Sequence, residues 1–176
     1  MYIYLFLILI ILSLLLILIL FIFKQILFDI TMFFGPFFVA IDDNKLNSMI
    51  KLAKPKKKDK IIDLGAGDGK ILIKIAKMGF KSEGLEINPL LVNKLDKKVS
   101  KLSLDNFINV KRMNFWKCNL SRFDLVFLYG TSYIMKGLEM KLKSELKPGA
   151  RVVSNHFKFP NWLPEKELND VYLYRK

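Results

Sequence analysis

The sequence predicts an α/β domain with a mostly parallel, doubly wound sheet, preceded by one helix long enough to span a membrane. Three observations carry this. Residues Met1 to Phe23 contain no charged side chain. Residues Ile61 to Lys70 read as a short apolar run, an acid, three glycines at alternate positions and the start of a helical pattern. After that point, apolar runs of strand length alternate with amphipathic runs of helix length, the pattern of a parallel sheet with crossover helices.

As a helix, the first 23 residues extend roughly 34 Å, enough for a ~30 Å hydrocarbon core. They lack the basic n-region and the shorter apolar stretch of a cleaved signal peptide. Every Lys and Arg follows Phe23. The expectation is a permanent single-pass anchor in the lipid bilayer, with the C-terminal domain in the cytoplasm. Lys24 to Ile41 is a weaker apolar stretch, broken by Asp29 and Gly35-Pro36 and crowded with Phe33, Phe34, Phe37 and Phe38. It reads as an interfacial or entrance segment with Pro36 as the handover. The expected division is 1–24 anchor, 25–43 interfacial or entrance segment, and 44–176 globular domain.

Asp42, Asp43 and Asn44 are caps for a helix whose apolar positions are Leu46, Met49, Ile50 and Ala53. The run Lys54-Pro55-Lys56-Lys57-Lys58 ends it and reads as a solvated loop. Strands are expected at Ser82–Ile87, Asn109–Arg112, Asp124–Tyr129 and Ala150–Asn155. A terminal strand, Val171–Tyr174, is expected as the antiparallel edge. Asn88-Pro89 starts one helix; Met135, Leu138, Leu142 and Leu146 mark another, closed by Pro148-Gly149.

Asp63-Leu64-Gly65-Ala66-Gly67-Asp68-Gly69 departs from a dinucleotide fingerprint, whose third glycine would fall at Lys70. Glycine admits positive φ and close ligand approach, and the helix behind the turn offers unpaired N–H groups. Glu86, 23 residues after Asp63, stands where an acid accepts ribose hydroxyls. The stretch resembles the S-adenosylmethionine (SAM) loop of Rossmann-like, seven-strand class I methyltransferases. The acids Asp63 and Asp68 suit the ammonium of the SAM methionine tail.

From Gly35-Pro36-Phe37 onward the chain resembles the small protein-lysine methyltransferases, including the ATP-synthase c-subunit lysine methyltransferases and their archaeal relatives. The matching stretches are Pro36-Phe37-Phe38-Val39, the glycine loop, Gly84-Leu85-Glu86-Ile87-Asn88-Pro89, Leu146 to Ser154 and Phe157-Lys158-Phe159-Pro160-Asn161-Trp162. The resemblance implies SAM as cofactor, held by Asp63, Gly65, Ala66, Gly67, Asp68, Glu86, Asn114 and Phe115. It departs at Asn114, where the family usually has an acid; the amide oxygen can still accept from the adenine amino group. It departs also at Phe37, where the family often has tyrosine. Phe37, Phe38, Tyr129 and Tyr133 are the expected substrate-binding residues. Tyr129 is the one expected to line the lysine channel in catalysis, with a wet core aromatic as the even alternative. His156 is not assigned as a base, and Trp116 and Trp162 read as packing residues.

Lys and Arg number 29 against 16 Asp and Glu, a net +13. That balance suits nucleic acid, anionic lipid or an acidic partner equally. The basic residues are scattered, with one tight run at Lys56–Lys58, so no nucleic-acid partner is expected. One cysteine, Cys118, excludes an internal disulfide framework, and with one histidine it argues against a zinc site; no metal is expected. Three readings follow: a lysine methyltransferase for membrane or membrane-proximal proteins, a methyltransferase for a small or quinone-like lipid substrate, and a non-catalytic SAM-binding module.

Overall fold

A computed structural model describes the backbone of residues 2–34 and 40–176, and the side chains of 2–4, 6–26 and 40–176. The N-terminal helix is one unit and the α/β domain is another.

Helix α1 runs Tyr2–Phe34 without interruption. Its stretch Tyr2–Ile26 is strongly apolar, with Lys24 its one charged residue, and its described side chains are all exposed. By length and composition it is a candidate membrane span. The helix passes through Lys24, so no break marks the expected boundary between anchor and following segment. The handover expected at Pro36 lies outside the described residues.

The domain contains helix α2 (Asp43–Ala53), strand β1 (Ile61–Leu64), helix α3 (Lys70–Lys77), strand β2 (Ser82–Glu86), helix α4 (Pro89–Lys101) and strand β3 (Ile108–Arg112). A short 3-10 helix (Phe115–Lys117), strand β4 (Leu125–Leu128), helix α5 (Met135–Glu145) and strands β5 (Arg151–Asn155), β6 (Lys166–Leu168) and β7 (Val171–Arg175) follow. The caps are those the sequence names. The Asp42 carboxylate accepts from Lys45 N–H and the Asn88 side chain from Leu90 N–H, both at 2.9 Å.

The sheet order is β3-β2-β1-β4-β5-β7-β6, parallel from β3 to β5, with β7 and β6 antiparallel. The chain builds outward from β1 to β3, then returns to the other side of β1 with β4. That reversal opens a crevice at the carboxyl ends of β1 and β4, where ligands bind in open α/β sheets. All four residues of β1 and of β4 are buried, as expected for strands covered on both faces. One face buries Ile61, Phe127 and Val153 against Met49 of α2 and Ile75 of α3. Leu95 and Val99 of α4 extend that layer toward Ile108. The other face buries Ile62, Leu64 and Val152 against Leu138 and Leu142 of α5, and Phe159 and Tyr174 join that cluster.

The expected terminal strand is present and antiparallel, but it is not the edge. β7 lies between β5 and β6, and Lys166–Leu168 forms the outer strand. Three residues with two exposed charges carry no period-2 apolar signal; short, charged strands are how sheets finish their edges. Trp162 is packed as expected, stacked on Phe159 at 5.5 Å and against Tyr174 at 5.3 Å.

At the start of β5, Arg151 closes the end of α2. Its guanidinium donates to the carbonyls of Ala53 and Lys54, at 2.5 and 2.8 Å, and pairs with Asp59 at 2.5 Å. Both charged side chains are over 90% buried. Breaking a buried pair leaves an uncompensated charge and costs about 3–5 kcal/mol. Arg151→Leu is therefore expected to lower the urea-unfolding free energy of the detergent-solubilised protein by that amount. A change under about 1 kcal/mol would refute the pair's structural role.

Candidate functional site

The glycine turn stands at the reversal in strand order. Gly65, Gly67 and Gly69 have φ of 86°, 54° and 76°, in the left-handed region that other residues adopt at a cost. At Gly69 space is equally restrictive: an added Cβ would stand 2.1 Å from Leu95 Cδ1 of α4. Gly84 in β2 provides the other close approach. A Cβ there would meet Leu72 Cδ1 at 2.5 Å and Ala66 Cβ at 3.0 Å, so its absence lets the turn settle on β2. Gly65 and Ala66 N–H then both donate to the Leu85 carbonyl, at 2.9 and 2.8 Å.

Glu86 caps this arrangement from the end of β2. Its carboxylate accepts from Gly67 N–H at 2.9 Å and from Asn88 N–H at 2.8 Å. It therefore joins the glycine turn to the start of α4 while retaining further acceptor capacity on each oxygen. Lys70 ties the chain entering the domain to the same turn. Its ammonium donates to the Ile41 carbonyl at 2.6 Å and lies 3.8 Å from Asp43.

Asp63 is 3% exposed, and among the described residues its carboxylate has no hydrogen-bond donor and no ion-pair partner. Burial, then the charge of Glu86, then that of Asp68 push its pKa up to about 8. Lys98 approaches Asp68 only to 4.0 Å at the carboxylate, though it donates to the Asp68 carbonyl at 3.1 Å. Three acids thus meet on one turn with little positive charge among them. The residues present fit a cationic ligand carrying N–H donors, and the ammonium of SAM is such a group.

The other predicted residues are more dispersed. Asn114 and Phe115 follow β3, next along the sheet from Glu86, whose carbonyl accepts from Met113 N–H at 3.0 Å. The Asn114 amide oxygen accepts from Trp116 N–H at 3.0 Å, capping the 3-10 helix. This local bond uses one of the two lone pairs of the amide oxygen and leaves the other as an acceptor. Tyr129 is half-buried just past β4, its ring 6.4 Å from that of Phe157. Tyr133 is 76% exposed. Phe37 and Phe38 lie outside the described residues. His156 is exposed, adopts φ of +67° and sets its ring edge-on to Phe157 at 4.7 Å. Two open cavities, about 310 and 680 Å³, lie at the opposite edge of the sheet. Their linings include Arg151 and Lys54 in one, and Ser82 and Lys60 in the other, but none of the turn residues.

The sequence profile of the ANTKMT methyltransferase domain matches residues 63–166, the interval from the buried acid to the outer strand. The chain belongs to this family. Its fold is that of class I SAM-dependent methyltransferases. It is 30% identical over 148 residues to a protein-lysine N-methyltransferase of Saccharolobus islandicus (strain REY15A), spanning 78% of this chain and 91% of that one. It is 37% identical over 105 residues to the ATP-synthase c-subunit lysine N-methyltransferase of Xenopus laevis, over 60% of this chain and 46% of the relative. It spans 51% of the mouse and 54% of the human protein of that name. Among solved structures, an RNA methyltransferase from Salinibacter ruber in complex with S-adenosylhomocysteine superposes with a TM-score of 0.72 at 28% identity, covering 78% of this chain and 92% of that one.

Sequence reasoning left two polar residues of this edge without a role, Thr131 and Asn155. Nothing in their local sequence distinguishes them; their isolation from hydrogen-bond partners is visible only in three dimensions.

The Asp63 environment makes a pH prediction. An acid whose pKa is raised on folding stabilises the fold most below its unfolded value, near 4, and that stability is lost as pH rises to about 8. The ligand-free protein is therefore expected to lose thermal stability from pH 5 to 8, and Asp63→Asn to flatten that decline. An Asp63→Asn protein with the wild-type pH dependence would show that Asp63 is already ionised in the free protein.

Proposed function

We propose that this protein is a membrane-anchored enzyme that transfers methyl groups from SAM to lysine side chains of membrane or membrane-proximal proteins. The observation that carries the cofactor is the unneutralised acid cluster on the glycine turn, Asp63, Asp68 and Glu86, at the crevice between β1 and β4. The lysine substrate is supported by the relatives named as lysine N-methyltransferases. The membrane location is supported by α1, an apolar helix of spanning length.

In this reading Asp63 receives the ammonium of the methionine tail, and Asp68 adds to the field that attracts it. Gly65, Ala66 and Gly67 bring backbone close to the ligand. Glu86 accepts the ribose hydroxyls with the lone pairs that Gly67 and Asn88 leave. Phe115 offers an apolar surface to the adenine beside Asn114. When bound, SAM supplies a methyl on a sulfonium: the amine lone pair forms the N–C bond as the C–S bond breaks with its electron pair on sulfur, and the methylated ammonium then yields a proton to solvent. The protein's work is therefore to hold a neutral amine in line and to exclude water. A lysine entering an aromatic, poorly solvated channel loses its proton more readily. In this reading Tyr129, just past β4, is the residue that lines such a channel, and Tyr133, Phe37 and Phe38 are the other substrate-binding residues.

Two further features belong to this proposal. The domain lies in the cytoplasm, since all Lys and Arg follow the apolar stretch. Tethering raises the effective concentration of membrane-bound acceptors.

Tritiated SAM incubated with the enzyme and membranes of the source cell is expected to label protein, and acid hydrolysis to release methyl-lysine. Label in RNA, in organic-extractable lipid or in methyl-arginine would refute the lysine assignment. Glu86→Ala is expected to weaken SAM binding by about 1.5–3 kcal/mol, tenfold or more in Kd by calorimetry; unchanged affinity would refute its role.

A further inference from the structure

Among the described residues, three buried side-chain oxygens have no hydrogen-bond partner: Ser82 Oγ, Thr131 Oγ1 and Asn155 Oδ1. Ser82 opens β2, at the edge of the sheet away from the glycine turn. Of the other two, one ends β5 and one follows the carboxyl end of its parallel neighbour β4, where the register pairs Leu128 with Ser154. Asn155 closes β5 and is 3% exposed. Thr131 lies three residues past β4, in the turn closed by the Ile134 N–H to Thr131 carbonyl bond of 3.0 Å.

Side-chain alternation sets the face. Ile61, Phe127 and Val153 are buried together on the side of α2 and α3. Two residues further along β1 and β5, Asp63 and Asn155 continue that face. The unpartnered amide oxygen therefore belongs to the layer that holds the buried acid, one strand beyond β4. The backbone around it is held firmly. Asn155 pairs with Val171 of β7, His156 N–H donates to the Asp170 carbonyl at 2.7 Å, and Ser154 Oγ donates to the Phe157 carbonyl at 2.7 Å. Buried acceptors in folded proteins are nearly always paired. Two that are not, at the end of the sheet where ligands bind, point to a donor that arrives with the substrate.

We propose that Asn155 Oδ1 and Thr131 Oγ1 accept the two N–H groups of the incoming lysine ε-amine, turning its lone pair toward the methyl group. This rests on the lysine reading above. The chemistry selects these residue types. The nucleophile must be the neutral amine. A carboxylate at either position would hold the lysine as ammonium, whereas an amide or hydroxyl oxygen accepts an N–H bond without contributing a full negative charge. Asp63, on the same face, is then left to the ligand's own ammonium.

The test uses the full chain in detergent, with tritiated SAM and total membrane protein of the source cell, counting methyl-lysine after hydrolysis. Thr131→Val and Asn155→Leu remove the oxygens at nearly constant volume. Each is expected to lower kcat/KM about tenfold to a hundredfold, the size of effect that misalignment of a reacting group produces. SAM affinity by calorimetry is expected to stay within about twofold. The thermal midpoint is expected to hold or rise, because an unpaired buried acceptor is removed. Asn155→Asp is expected to move the acidic limb of the kcat profile to higher pH. Full activity in both isosteric variants overturns the proposal. So does a loss of activity accompanied by a lower midpoint or weaker SAM binding, which would mark a structural or cofactor-binding role. A wild-type enzyme that labels no lysine refutes the reading beneath it, before any variant is compared, and the proposal falls with it.

Discussion

The hydrogen bond from Gly67 N–H to the Glu86 carboxylate, 2.9 Å long and buried, is where the two halves of the site meet. Gly67 belongs to the turn after β1 and Glu86 to the end of β2, 19 residues on. The bond forms only because the turn can lie against β2. That needs left-handed backbone at the three glycines and no Cβ at Gly84, where Leu72 and Ala66 already occupy the space. The second Glu86 oxygen holds Asn88 N–H, at the cap of α4. One carboxylate therefore registers β1, β2 and two helices, and other features of the crevice are placed relative to it.

The same carboxylate sets the electrostatics. Glu86 and Asp68 raise the proton affinity of Asp63, and burial raises it more. In a chain carrying 29 basic residues, a buried acid with no cation beside it among the described residues is a matter of placement, not of composition. Lys70 and Lys98 border the turn, but both spend their ammonium on backbone carbonyls, of Ile41 and Asp68. Arg151, by contrast, is matched to Asp59 at the far edge. The two edges of the sheet are thus treated oppositely. One is neutralised and structural; the other keeps a charge imbalance.

Most of the fold, and the glycine turn with the acids that flank it, were legible in the sequence because they depend on local rules. A strand enters Asp63, glycines turn it, and apolar spacing starts α3. Asn88-Pro89 begins α4 as cap and first-turn proline chemistry dictate. Where local rules compete, legibility failed. Asn114 caps the 3-10 helix through Trp116 N–H, two residues away, a contact its neighbours in sequence did not announce. Lys166–Leu168 has no strand pattern of its own and pairs because β7 offers it an edge.

The sequence by itself determined the class of domain, the identity of the turn and the acids that flank it, because glycine, acid and apolar periodicity act over a few residues. It determined too that the first 23 residues carry no charge on any side. Only the tertiary structure decided that Asp63 has no counter-charge among the described residues, that Glu86 holds two N–H groups at once, and that Asn155 at the end of β5 and Thr131 just past β4 carry unpartnered oxygens. Those are properties of separation in space. Asn155 lies far from Asp63 along the chain, and parallel pairing through β4 and β5 brings both to one face of the sheet.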